Sequence, residues 1–181
     1  MNAPPPSKMF EIRAAIPADA PALAALIRSY MRETYDDDWH GSLEALSRDG
    51  FGREFDMHLA LRGDDVVGFL AWRRTYDLHH CMSGGEVIDM FVVPAVRGRS
   101  VGPSLVCAVA DEVLRRGGQF LRGQAVDDPS VRRLYERVAV SFGVVECTVS
   151  GRAFRSLAAL RHASPRSLAR SLPAKSANYE A

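Results

Sequence analysis

Cysteine is scarce in this chain of 181 residues: Cys81, Cys107 and Cys147 are the whole complement. Their odd number and wide spacing exclude a disulfide-stapled scaffold and suit a reducing compartment, so a cytoplasmic location is expected. Long apolar runs are missing too. No stretch approaches the roughly 20 residues that a bilayer-crossing helix needs, and no membrane partner is expected. Charge of one sign does not accumulate, since 23 Lys and Arg face 22 Asp and Glu for a net +1. That excludes bulk neutralisation of nucleic-acid phosphates, while a local basic patch stays open. The first ten residues contain Pro4, Pro5 and Pro6 but no apolar segment of signal-peptide length, and residues 1–9 read as a disordered leader. No internal repeat is present. Two familiar phosphate-binding templates are also absent, the Gly-x-x-x-x-Gly-Lys-Ser/Thr loop and a Gly-x-Gly-x-x-Gly following a strand.

What remains is an ordinary globular composition, 47% apolar and 25% charged. The length suits one domain, burying roughly 70% of its unfolded surface. A short strand at 10–14 leads into a helix that starts near Pro17, with Asp19 as N-cap. Leu23, Leu26, Ile27, Tyr30 and Met31, at three- and four-residue spacing, form its buried face. A short second helix is expected at 42–47, then strands at 57–61 and 66–76 joined by the tight turn Gly63-Asp64-Asp65. A loop at 79–85 precedes a central strand at 86–93, and a helix at 103–116 is closed by Gly117-Gly118. Strands at 120–126 and 142–150 bracket a helix at 129–138, and Phe154, Leu157, Ala158 and Arg161 are spaced as in a helix. This alternation predicts a single α/β domain over 10–161, with a layered, partly parallel sheet. A Ser-, Ala-, Arg- and Pro-rich flexible tail follows at 162–181.

The most informative stretch is 87–105. An apolar strand passes through Pro94 into an Arg/Gly turn and straight into the N-terminus of an amphipathic helix. Backbone N–H groups emerge unpaired at such a turn, the helix dipole adds partial positive charge, and Arg97 and Arg99 add formal charge. Gly98 and Gly102 let an anion approach the backbone without meeting a Cβ. A pyrophosphate fits this description, and so does an ordinary strand, turn and helix.

The pattern Val93-Pro94-x-x-Arg97-Gly98-x-x-Val101-Gly102 resembles the acetyl-CoA-binding motif of the GNAT superfamily of N-acetyltransferases, Arg/Gln-x-x-Gly-x-Gly/Ala, with Ser100 at the first of those glycines. A second stretch, Asp127-Asp128-Pro129-Ser130-Val131-Arg132-Arg133-Leu134-Tyr135-Glu136-Arg137, resembles that family's later motif. There an Asn precedes a helix ending in Leu/Phe-Tyr-Glu; Asp128 stands at the Asn and Tyr135 at the Tyr, while Ala139-Val140 replaces the usual Gly-Phe. The resemblance covers about residues 10 to 150. It implies a GNAT-like fold, a mixed, partly parallel central sheet flanked by helices. The implied activity is transfer of acetyl from acetyl-CoA to a primary amine of a small molecule by direct attack. Contacts to the coenzyme are implied for Phe91, Val92, Val93, Arg97, Gly98, Arg99, Ser100, Val101, Gly102, Ser104, Asp128 and Tyr135. A homodimer is the default assembly. Two other activities stay open, a noncatalytic acyl-CoA-binding module that regulates a partner and an acetyltransferase directed at protein lysines or N-termini.

Acetyl transfer needs a neutral amine, and an amine with a pKa near that of Lys is neutral in only about one molecule in several thousand at pH 7. A carboxylate near the acceptor meets that need. Ile88-Asp89-Met90-Phe91-Val92 is similar to the Glu-Asp-x-Phe/Tyr-Val strand of diamine and polyamine acetyltransferases, with Asp89 at the Asp and apolar Ile88 at the Glu. The similarity implies that Asp89, or Glu86 through water, acts as base; an acid satisfying nearby backbone is the competing reading. Strand alternation puts 88 and 89 on opposite faces. The family further implies an oxyanion donor at a bulge among 91–93 and Tyr135 as partner of the departing thiolate. A phenol near pKa 10 is a weaker acid than a thiol near 8.5, so full proton transfer is uphill by about 2 kcal/mol and hydrogen bonding is the safer role. His79-His80-Cys81 lacks the matching pair that a four-ligand zinc site needs, and no metal is expected. Cys107, among Val106, Ala108 and Val109, reads as a buried structural thiol. Asp36-Asp37-Asp38 reads as a solvated acidic run, with attraction of a cationic amine as the alternative.

Overall fold

The computed structural model describes residues 10–124 together with Phe154, Arg155 and Ala158. The chain divides into two compact units, 1–128 and 129–181. All elements below belong to the first. Its strands are β1 (Glu11–Ala14), β2 (Asp56–Arg62), β3 (Asp65–Asp77), β4 (Met82–Val92) and β5 (Leu121–Gly123), and its helices are α1 (Ala20–Tyr35), α2 (Leu43–Asp49) and α3 (Val101–Arg115). The strands lie side by side in chain order. The first four pair antiparallel, and β5 runs parallel to β4. The expected mixed, partly parallel sheet flanked by helices is therefore present.

Side-chain alternation on β2 and β3 feeds two apolar layers. On one face Met57, Leu59, Phe69, Ala71 and Phe91 meet Leu23, Ala24, Leu26 and Tyr30 of α1. On the other, Ala60, Val67, Leu70 and Trp72 meet Val101, Leu105, Val109 and Val113 of α3. Those four α3 residues recur every four positions and form the helix's buried stripe. Cys107 lies off that stripe and is exposed, which corrects its reading as a buried thiol.

The helix ends follow local chemistry. Ser42 caps α2, its Oγ accepting from the N–H of Ala45 at 3.1 Å. A 3-10 turn at Pro17–Asp19 precedes α1. Asp19 does not cap α1 with its side chain; its carboxylate accepts from the N–H of Ile16 at 2.8 Å and pairs with Arg13 at 2.7 Å. At the end of α3, Gly117 takes φ +80°, and the N–H groups of Gly117 and Gly118 donate to the carbonyls of Leu114 and Val113. That is the paired closure a glycine after a helix permits.

The extent of the loop before β4 also differs from the sequence expectation. Residues 82–85, assigned to a loop, are strand: β3 and β4 pair from Asp77↔Met82 onward, leaving only 78–81 at the hairpin tip. Gly84 and Gly85 looked like loop punctuation, but they are there for close packing. A Cβ on Gly84 would lie 2.6 Å from the carbonyl oxygen of Phe120, and one on Gly85 would lie 2.6 Å from Cγ2 of Val113. The helix at 129–138, the strand at 142–150, the leader and the tail lie outside the described residues. Phe154, Arg155 and Ala158 are helical.

Candidate active site

After β4 ends, a 3-10 turn at Pro94–Val96 leads to Gly98 at φ +74° and Ser100 at φ +64°. Ser100 thus holds the left-handed conformation that a glycine adopts freely, at the position where the family motif has glycine. The first backbone bond onto α3 runs from the N–H of Ser104 to the carbonyl of Ser100 at 3.0 Å. Among the described residues the N–H groups of Gly98, Ser100, Val101 and Gly102 have no partner. A Cβ on Gly102 would come no closer than 3.8 Å to Met90. The protein's own packing leaves room for a side chain there, so the glycine keeps outside space open next to unpaired amides.

Arg97 is engaged within the fold. Its Nε donates to the carbonyl of Val92 at 2.8 Å, its guanidinium pairs with Glu33 of α1, and it lies 5.4 Å from the centre of the Phe91 ring. It braces the turn against both α1 and β4. The N–H of Val93 donates to Val67 of β3 at 3.0 Å. By the alternation of an antiparallel ladder, Met90 and Val92 direct their backbone groups away from β3. Along that edge β5 pairs with Gly85 to Val87. Past Val87 no described residue pairs with it.

Asp89 is half-buried, and Oδ1 accepts a 2.6 Å hydrogen bond from the hydroxyl of Tyr30. Tyr30 Oη lies 3.1 Å from Tyr35 Oη. With Tyr30 donating to the carboxylate, Tyr35 is the donor of the second bond. Burial pushes the Asp89 carboxyl above the ordinary aspartate value, partly offset by the Tyr30 hydrogen bond. Burial and the same carboxylate push the Tyr30 phenol far up, so it stays protonated. The Tyr30 ring packs edge-on against Phe69 and tilted against Phe91. Its helical spacing identified Tyr30 only as a core residue; the hydroxyl aimed at β4 was the part missed.

The bulge expected among 91–93 is not there: Phe91↔Phe69 and Val92↔Gly68 are in register. It lies at Ile88 instead, between the pairs Ala71↔Asp89 and Trp72↔Val87. An extra residue resets alternation. Val87 packs with the α3 layer while Ala71, opposite Asp89, packs with the α1 layer. Ile88 therefore does not face away from Asp89 as strict alternation requires. It lines, with Glu86 and Arg73, a groove of about 650 Å³ beside the β3–β4 hairpin.

Asp128 and Tyr135 lie outside the described residues. Arg99 and Ser104 are exposed at the turn and on the first turn of α3. The acidic run is a solvated one: Asp38 pairs with Arg32 at 3.0 Å and Asp37 with His40 at 3.3 Å. At the hairpin tip Asp77 takes the N–H groups of His79 and His80 and the His80 ring. Among the described residues no group of three metal-binding side chains occurs.

Comparison with known proteins agrees with this geometry. The profile of the Acetyltransferase (GNAT) family matches residues 20–139, and the chain belongs to that family. Members use acetyl-CoA as cosubstrate, and the protein is an acetyltransferase. It is 33% identical over 116 residues, 61% of this chain and 70% of the relative, to an aminoalkylphosphonate N-acetyltransferase of Salmonella typhimurium. Among solved structures, a ribosomal-protein-alanine N-acetyltransferase from Brucella melitensis biovar Abortus superposes with TM-score 0.64 at 24% identity, covering 78% of this chain and 99% of that one. An aminoglycoside acetyltransferase from an uncultured soil sample gives 0.68 at 19% identity, covering 80% and 97%. At those identities the likeness is one of fold. Among the described residues no helix is long and apolar enough to cross a membrane.

Proposed function

We propose that the protein acetylates the primary amine of a small molecule with acetyl-CoA by direct attack, without a covalent enzyme intermediate. The observation that carries this reading is the Asp89–Tyr30 pair on the same continuous segment as the unpaired amides of the turn. The relative that acts on aminoalkylphosphonates supports a small acceptor. When bound, acetyl-CoA supplies an activated acetyl thioester. The amides of Gly98, Ser100, Val101 and Gly102, with Arg99 and Ser104, receive its diphosphate, and the outward backbone of Val92 lies along the pantetheine arm beside Phe91 and Val93. Arg97 holds the turn in shape through Glu33 and Val92.

Asp89 receives the ammonium. Tyr30 occupies Oδ1, which leaves Oδ2 for the amine, and a carboxyl raised by burial is a better-matched base than a solvated one. Asp89 takes the ammonium proton, the amine nitrogen forms a C–N bond to the acetyl carbon, the C–S bond breaks, and the departing thiolate takes the second proton that the nitrogen sheds on becoming an amide. Tyr135 is assigned to stabilise that thiolate and Asp128 to contact the coenzyme.

Calorimetry with coenzyme A and thiol release with a panel of amines test this reading. Asp89→Asn is expected to lower kcat by about 10² while coenzyme affinity holds. Absence of binding heat would overturn it. Binding without amine-dependent thiol release would move the protein to the noncatalytic module.

A further inference from the structure

We propose that the acceptor amine also carries a tetrahedral oxyanion, a phosphonate or phosphate ester, and that the arginine-lined groove beside Ile88 receives it. This rests on the acetyl-transfer reading and names its substrate class. The groove opens where β2 begins at Asp56 while β3 and β4 run on to Asp77 and Met82, with the loop before β2 as its other wall. Five arginines line it, Arg53, Arg73, Arg74, Arg116 and Arg122, against three carboxylates, Glu54, Asp56 and Glu86. Two positive charges are left over among the lining residues, and Glu112, paired with Arg116, offsets part of that surplus.

Arg116 is fully engaged, bonded to Asp56 at 2.7 Å and to Glu112 of α3 at 2.6 Å and lying 5.0 Å from the Trp72 ring centre. Arg53 and Arg73 are each held through one bond, to the carbonyl of Arg48 and, at 2.9 Å, to Glu86. Arg122 bonds to Thr75 at 2.6 Å. A guanidinium has five N–H donors, so such anchoring fixes the group and leaves donors over. Among the described residues Arg74 has no partner at all. Positioned guanidiniums with unused forks and surplus charge match a doubly charged, three-oxygen group better than a lone carboxylate. The bulge at Ile88 connects the ends: the groove reaches Ile88, and Asp89, the next residue, is the carboxylate assigned to the ammonium. A zwitterion spans both. A diamine, despite the local sequence similarity to diamine acetyltransferases, would set a cation among arginines.

Thiol release is measured with 2-aminoethylphosphonate, β-alanine, propylamine and 1,3-diaminopropane. The expected order of kcat/KM follows that sequence, with the phosphonate about 10²-fold above propylamine. Arg74→Ala and Arg122→Ala are expected to shrink that ratio about tenfold through KM. Arg62→Ala, an exposed arginine at the far end of β2, leaves it unchanged. Inorganic phosphate should raise KM for the phosphonate and not for propylamine. Propylamine or the diamine equalling the phosphonate, or the carboxylate equalling it, would overturn the assignment and leave acetyl transfer standing. Coenzyme binding with no release from any amine would overturn acetyl transfer itself, and this inference with it.

Discussion

The hydroxyl of Tyr30 donates to Oδ1 of Asp89 at 2.6 Å across 59 positions of sequence, tying α1 to β4 where the bulge ends. The two groups divide the acid–base work unequally. The phenol is pushed far above its usual range and remains a donor, whereas the carboxyl is raised and can exchange a proton.

Tyr30→Phe removes the one influence that lowers the Asp89 pKa and leaves burial unopposed. The acid limb of the kcat/KM profile is expected to move to higher pH, with a stability loss of about 1 kcal/mol for the lost hydrogen bond. Denaturant unfolding and a pH–rate series read both. A profile superimposable on the parent would remove Asp89 from proton transfer.

Asp89→Asn is expected to raise stability at neutral pH while it lowers turnover. The folded carboxyl binds its proton more tightly than the unfolded one, so the parent loses stability as pH rises through the raised value. Asn keeps an acceptor for Tyr30 without that burial penalty. Its advantage should be full above the raised pKa and vanish below the ordinary aspartate range. Melting curves across pH check this, and an Asn variant less stable at pH 8 would contradict it.

Gly102→Ala separates fold from coenzyme binding. The nearest protein atom to the new methyl is 3.8 Å away, and alanine gains about 1 kcal/mol in helix propensity, so Tm should hold or rise. Coenzyme Kd should rise about tenfold as the methyl meets the diphosphate. Ser100→Gly, at φ +64°, should add roughly 0.5–1 kcal/mol of stability with affinity kept. Calorimetry and thermal melts on both variants decide.

His58 on β2 is buried, its Nδ1 has no partner among the described residues, and burial lowers its pKa. The folded state favours the neutral ring, so stability is full above the ordinary histidine value near 6.5 and declines as pH falls from there toward the lowered one. His58→Leu should flatten that decline below the ordinary histidine value of about 6.5. An unflattened curve would assign the acid sensitivity elsewhere.

How much was legible in the chain depended on whether the signal was local. The closure of α3 at Gly117-Gly118 and the phosphate turn at 98–102 were readable because glycines and helix starts act on their immediate neighbours. The four-residue repeat of Val101, Leu105, Val109 and Val113 is a local signal as well, and it sets Cys107 off the buried stripe, which the thiol's apolar sequence neighbours do not show. Gly84 and Gly85 were misread because their cause is distant, the crowding of Val113 and Phe120. The groove was invisible for the same reason: Arg53, Arg73, Arg116 and Arg122 come from well-separated segments and meet only once the sheet is built. Pairing register sets the bulge, and no residue type announces it.

That bulge makes β4 a counted segment. A one-residue deletion elsewhere in β4 would turn every side chain on one flank over, whereas losing Ile88 would leave Val87 and Asp89 on the faces they already hold and take away only the residue between them. Length variation among descendants of this chain should therefore gather at the hairpin tip, 78–81, and spare the strand that follows.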